Sequence, residues 1–179
     1  GAVLEEIDDF AFGYSYTTKS GQTMTFQNVT TSQLVTTTET QWIGSELTYL
    51  PPSGTDFVVY KLSIPCYVGD DTTYMRGQWS LWIDNIEQIP TRSTFHGSDY
   101  RGDRIYFEFP IKIDTSLSAD DPDKCVVNSW TSAKKLEIRG RSDANWSEFT
   151  LCLLYYWDGS GTGTQVIPPS VGISAIKRS

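Results

Sequence analysis

Sulfur and imidazole are scarce in this chain, which holds three cysteines, two methionines and one histidine in 179 residues. Cys66, Cys125 and Cys152 form an odd set with no closely spaced pair, so at least one thiol lacks an intrachain disulfide partner. A disulfide between two of them stays open. Zinc needs about four ligands, and His96 is the only histidine, so no metal site is expected. Cys66 continues the apolar face of a strand and reads as a small buried hydrophobe. Positive charge is also short, with 14 Lys and Arg against 22 Asp and Glu, a net charge of −8. Without a basic stripe the chain is not expected to bind a nucleic-acid phosphate backbone. No apolar run approaches the roughly 18 residues of a membrane helix. No secretory leader is read at the start, so the expectation is a soluble chain with no membrane insertion. Opening on Gly1 rather than Met, it reads as a processed chain, a tag remnant or a piece of something longer. Helical spacing is nearly absent as well. Only Val3 to Phe12, with Leu4, Ile7 and Phe10 among acidic residues, predicts one or two helical turns or an acidic lead-in.

What the chain does have is alternation. Ile105, Phe107, Phe109, Ile111 and Ile113 alternate with Arg104, Tyr106, Glu108, Pro110, Lys112 and Asp114, which in an extended chain puts five large apolar side chains on one face. Pro110 would break a helix here, whereas a strand tolerates it at an edge or bulge. Val58, Tyr60, Leu62, Ile64, Cys66 and Val68 form a second such face. Met75, Trp79, Leu81 and Ile83 form a third, with Gln78, Ser80 and Trp82 pointing the other way and Asp84-Asn85 closing the strand. Leu136 and Ile138 alternate with Lys135, Glu137 and Arg139. Phe149 to Trp157 predicts a last long strand, Asp158 to Gly163 a flexible loop, and Val171, Ile173 and Ala175 a closing strand. Short strands are expected around Met24 to Phe26, Leu34 to Thr38 and Leu47 to Leu50. Pro51-Pro52-Ser53-Gly54 and Gly69-Asp70-Asp71 are turns. The reading is all-β: a single domain over residues 1–179, an antiparallel β-sandwich of jelly-roll type with about 8 to 10 strands. Such a chain buries roughly 70% of its unfolded surface.

Thr25 to Thr30, Tyr49 to Thr55, Val59 to Leu62, Trp130 to Leu136, Tyr156 to Gly159 and Pro169 to Ile176 form a recognisable set of turns and strand faces. In these patterns the chain resembles β-rich virion proteins of aquatic viruses, namely tailed phages of marine bacteria and large DNA viruses of algae. The resemblance implies a structural protein at the virion surface. A fibre or spike head that recognises a host glycan or protein is the first form of that expectation, and a capsid decoration or cement protein without a receptor role is the second. By analogy with jelly-roll fibre heads the chain is expected to form a homo-oligomer, a trimer, and to meet other virion proteins.

Candidate binding residues fall into two groups. Arg101-Gly102-Asp103 would present a guanidinium and a carboxylate on either side of a glycine turn, as receptor-binding tripeptides do. The reading preferred for it is a turn that leads into the following strand. Trp82, Trp130, Trp146, Tyr100 and Tyr106 lie off the inward face or in loops, where exposed aromatics stack on sugars or on protein partners. Packing between subunits or over the sandwich ends is the competing explanation. Asp120, Asp121 and Asp123 lack the ladder spacing of a calcium loop and read as a solvated acidic turn. Asn28 and Asn145 head glycosylation-type tripeptides that equally fit ordinary loops. Neither a serine elbow nor a triad surrounds His96, so no catalytic residue and no cofactor are expected. The enzyme that stays in view is a polysaccharide-degrading tail protein built on a carboxylate pair.

Overall fold

A computed structural model describes residues 1–68, 75–97, 103–157, 159 and 162–178. In chain order the strands are β1 (Ala2–Phe10), β2 (Ser15–Thr17), β3 (Thr23–Thr25), β4 (Gln33–Val35), β5 (Thr40–Gln41), β6 (Leu47–Tyr49), β7 (Phe57–Tyr67) and β8 (Met75–Ile83). They continue as β9 (Ile86–Glu87), β10 (Ser93–Gly97), β11 (Asp103–Ile113), β12 (Val126–Val127), β13 (Lys134–Ser142), β14 (Phe149–Leu151), β15 (Leu153–Trp157), β16 (Thr162–Val166) and β17 (Ser170–Lys177). Nine of these have five residues or more, and the rest are short pieces. The fold is an all-β sandwich of two packed sheets.

The larger sheet runs β1-β17-β7-β11-β12, with β14 joining β7 and β4. The smaller runs β10-β8-β13-β5, with β6 on β13 and β9 on β8. Ladders are antiparallel except the two-residue contact of β11 with β12. The alternation read from the sequence sets which side faces in. Val58, Tyr60, Leu62 and Ile64 of β7 pair in register with Ile111, Phe109, Phe107 and Ile105 of β11 and turn toward the smaller sheet. From that sheet come Trp79, Leu81, Ile83, Leu136 and Ile138. The layers meet where Trp79 stacks on Phe107 with centroids 5.7 Å apart and Trp42 meets Phe149 edge-on at 6.0 Å. Burying each large apolar side chain contributes about 1.5–3 kcal/mol, so this interior dominates stability. Two tyrosines also tie the layers: Tyr60 donates to the Ser45 carbonyl at 2.5 Å and Tyr49 to Glu5 Oε1 at 2.6 Å. Burial raises both phenols well above their ordinary range.

Some expectations need correction. Val3 to Phe12 is not helical, because Ala2–Phe10 pairs along β17. A bulge between Val3 and Glu5 lets Leu4 and Ile7 both pack on the core, which mimics helical spacing in an extended strand. The long strand from Phe149 to Trp157 is broken at Cys152, whose φ of 60° sends β15 away to form a ribbon with β16. The expected loop from Asp158 to Gly163 gives way to β16 at Thr162; Asp158, Ser160 and Gly161 lie outside the described residues. The turn expected at Gly69-Asp70-Asp71 lies outside them too. Pro110 is accommodated as expected, since the second side of β11 is paired only at Lys112 and Ile113. Asp84 and Asn85, at φ 47° and 67°, make the two-residue turn from β8 into β9, a conformation these residue types tolerate. All three cysteines are free and buried, so the open disulfide is not formed. Burial pushes Cys152 up to about 12 and Cys66 higher, which leaves neither thiol nucleophilic at neutral pH.

Candidate functional site

The outward positions of β8 are Arg76, Gln78, Ser80 and Trp82, and those of β13 that pair with them are Arg141, Arg139 and Glu137. β10 adds Thr94 and His96, and the turn after β9 adds Arg92. That turn is pinned to β8 by Thr91, whose Oγ1 accepts from the Leu81 amide at 2.8 Å and donates to the Gln88 carbonyl at 2.6 Å. Its position brings the Arg92 guanidinium to 2.6 Å from Glu87 Oε1, while Ser80 donates to Glu87 Oε2 at 2.6 Å and Trp82 Nε1 donates to Ser80 at 3.1 Å. The hydrogen bond from Arg92 holds the Glu87 carboxyl below its ordinary range. A parallel chain lies beside it. Arg139 sits over the Trp82 ring at 4.3 Å and donates to Asn85 Oδ1 at 2.6 Å and to the buried Glu137 at 2.7 Å. Glu137 also accepts from Gln41.

Between these groups the surface dips twice. One depression of about 490 Å³ is lined by Glu39, Gln78, Ser80, Glu87, Arg92 and Thr94, with the buried Trp79 at its margin. The next, of about 260 Å³, is lined by Arg76, Gln78, Thr94, Phe95, His96 and Asp143. They share Gln78 and Thr94, so together they form one groove along β8. Trp146 stands at its far end with Arg76 5.5 Å from its ring, and Arg76 is paired to Asp143 at 3.1 Å. From Arg76 to Trp82 is six residues of strand, about 20 Å. The Nε1 of Trp79 is buried and has no hydrogen-bond partner.

The aromatic candidates are therefore split. Trp82 and Trp146 lie at the two ends of the groove. Trp130 is not exposed: at 6% exposure it donates to the Tyr49 carbonyl at 2.9 Å and packs edge-on against that ring. A tryptophan in a polar loop reads as a surface residue until its N–H finds a distant backbone acceptor. Tyr106 is 61% exposed, but on the opposite side of the molecule. There it borders a depression of about 280 Å³ with Asp8, Lys61, Ser63 and Ser170 over Gly172. Tyr100 and Arg101 lie outside the described residues. Asp103 is exposed as the first residue of β11, opposite Cys66, and its carboxylate accepts from the Arg104 amide at 2.7 Å. Asp120 accepts from the Asn128 amide at 2.8 Å, and among the described residues no group of three or more His, Cys, Asp or Glu is placed to hold a metal ion.

No protein-family model and no curated protein sequence matches this chain. A solved structure similar to it is described as the EclA C-terminal domain, a sugar-binding protein, at 10% identity and a TM-score of 0.38 over 76% of this chain and 79% of that one.

Sequence reading named Trp82 and Trp146 but missed Gln78, Glu87, Arg92, Thr94 and Arg141 as parts of one site. The available signal was an outward-facing tryptophan on a strand whose other outward residues are Arg76, Gln78 and Ser80.

Proposed function

We propose that this chain is a non-catalytic carbohydrate-recognition domain whose ligand, an oligosaccharide, lies along β8 on the outer face of the smaller sheet. The observation that supports it is the meeting of two depressions at Gln78 and Thr94, walled by an amide, hydroxyls and charged pairs that are already hydrogen-bonded to one another. Sugar hydroxyls both donate and accept, so planar amide, carboxylate and guanidinium groups held in place recognise them at little ordering cost. Trp82 and Trp146, each with an arginine against one ring face, leave the other face to a ligand at the ends. Glu87 is a poor general acid, because Arg92 keeps it ionised where glycoside hydrolysis needs a carboxyl held protonated.

The same proposal sets the domain at the virion surface as a fibre or spike head that meets a host-cell glycan. Its support there is the resemblance of the sequence to virion proteins, which also motivates the expected homo-trimer and contacts with other virion proteins.

The test is a panel of immobilised oligosaccharides probed with the purified domain, followed by calorimetry on any that bind. Binding with a Kd in the micromolar range is expected, weakened about tenfold by Gln78→Ala, the loss of roughly one well-placed hydrogen bond. Binding unaffected by Gln78→Ala, or no binding to any glycan, would contradict the assignment.

A further inference from the structure

One charged pair that lines the groove and one beside it keep the carboxylate beneath the guanidinium, whereas the groove's other pair, Arg76–Asp143, exposes its partners about equally, at 43% and 48%. In the Arg92–Glu87 pair the guanidinium side chain is 63% exposed and the carboxylate side chain 21%. In the Arg139–Glu137 pair the carboxylate is buried and the guanidinium lies above it, against the Trp82 ring. Lys135 approaches the same Glu137 at 3.6 Å from the solvent side. At Arg92 and at Arg139 a ligand therefore meets the guanidinium first, with its negative partner underneath.

Arg141 adds a further guanidinium on the same face. It stands opposite Gln78 on the β13 ladder, where the two depressions join. With the Gln78 amide oxygen turned toward it, Arg141 donates through Nε at 3.0 Å and through Nη2 at 3.2 Å, and its Nη1 reaches the Ser142 carbonyl at 3.5 Å. Among the described residues no carboxylate lies within ion-pair distance of it. Among the described residues the other charged groups facing the groove are Arg76 with its partner Asp143, His96, and Glu39, an exposed carboxylate at the margin of the larger depression. Glu39 makes no ion pair among the described residues, and its charge acts on Arg92.

Resting on the glycan-binding reading, we infer that the groove takes an anionic glycan, a saccharide bearing sulfate or carboxylate groups, with Arg141 and Arg92 contacting those groups. A guanidinium is a rigid fork of donors that matches an oxyanion in two parallel hydrogen bonds, which a lysine ammonium does not. Arg92 is held on its inner side by Glu87, so its outer edge is aimed before the ligand arrives and little side-chain entropy remains to be lost. The long-range part of the attraction weakens with salt, because these groups are close to solvent.

The experiment compares neutral, carboxylated and sulfated oligosaccharides of one backbone, by calorimetry at low and at high salt. Either acidic form is expected to bind about tenfold tighter than the neutral one, with the advantage shrinking as salt rises. Arg141→Gln is expected to bring the ratio of acidic to neutral affinity down toward one, with Arg92→Gln acting in the same direction and Arg141→Lys restoring part of the ratio. Unchanged thermal melting of Arg141→Gln separates lost contacts from lost fold. Equal affinity for neutral and acidic forms overturns this inference and leaves the carbohydrate reading standing. Absence of binding to all three overturns both. Salt-sensitive self-association that Arg141→Gln abolishes, without glycan binding, would assign the arginines to a contact between copies of the chain and overturn the inference as well.

Discussion

At Glu87 and Glu137 on the outer face of the smaller sheet, arginines lie over carboxylates; at Lys61 on the outer face of the larger sheet the order is reversed. There Lys61, 23% exposed, lies beneath Asp8, 46% exposed, at 3.8 Å, with Glu6 at 3.6 Å. Strand position explains the difference. Lys61 projects from β7, in the middle of its sheet, whereas Asp8 and Glu6 come from β1 at the margin. Glu137 projects from β13, an interior strand of the smaller sheet, and the arginine stems reach over it. Acidic side chains on a marginal strand discourage a second chain from pairing there, which is a sufficient role for them. Guanidinium groups laid over buried acids bring no such benefit. They desolvate charge and order long side chains, a cost that binding a ligand would justify. The two faces thus order these ion pairs oppositely, and the larger depression lies on the face where arginines are uppermost.

Two glycines offer the sharpest way to break this comparison. Gly140 pairs with Trp79 on the β8–β13 ladder, and a Cβ there would lie 2.5 Å from the Gln78 carbonyl and 2.7 Å from Trp42 Nε1. Neither can yield without moving the strand that carries the groove. Gly140→Ala is expected to cost roughly 3 kcal/mol, the upper end for overpacking a filled interior, and to abolish glycan binding. Gly172, on β17 under Asp8, meets only the flexible side chain of that residue. Gly172→Ala is expected to cost well under about 1 kcal/mol and to leave binding intact. Chemical denaturation of both variants checks the contrast, and similar losses in the two would contradict it.

Much of the sandwich is legible in the sequence, because the clean alternation of β7, β8 and β11 states which face is apolar. Legibility fails where the period is interrupted by something non-local. The bulge after Val3 makes an edge strand look helical, and the left-handed Cys152 divides an apparently continuous strand between two sheets. The groove is half legible. Trp82 can be seen to point outward, but nothing local says that Gln78 lies beside Arg141 or that Arg92 reaches Glu87, since those contacts follow from strand register and one turn. Trp130 shows the converse, its apparent exposure ended by a carbonyl distant in sequence.

Acidity gives a smaller effect that separates the faces by sign. The Glu87 carboxyl is lowered by Arg92, so its contribution to stability is present above its ordinary value, near pH 4, and is lost as pH falls through the folded value. Asp8 is raised, chiefly by burial, which outweighs the opposing pull of Lys61, so its contribution runs the other way: present at low pH and lost as pH rises through the folded value. In urea titrations Glu87→Gln is expected to be destabilised at pH 7, with the gap to the parent closing toward pH 3. Asp8→Asn is expected to match or exceed the parent at pH 7, with any gain disappearing toward pH 3. A gap for Glu87→Gln that widens on acidification would refute the pairing described for it.

Amide chemical-shift mapping by NMR during titration with an acidic oligosaccharide addresses the central claim most directly. Perturbations are expected along β8, β10 and β13, centred on Gln78, Thr94 and Arg141, while β1, β17 and the strand around Tyr106 stay unmoved. Tyr106→Ala should leave that titration unchanged. Shifts concentrated at Asp8, Lys61, Tyr106 and Gly172 would place recognition on the larger sheet and contradict the account.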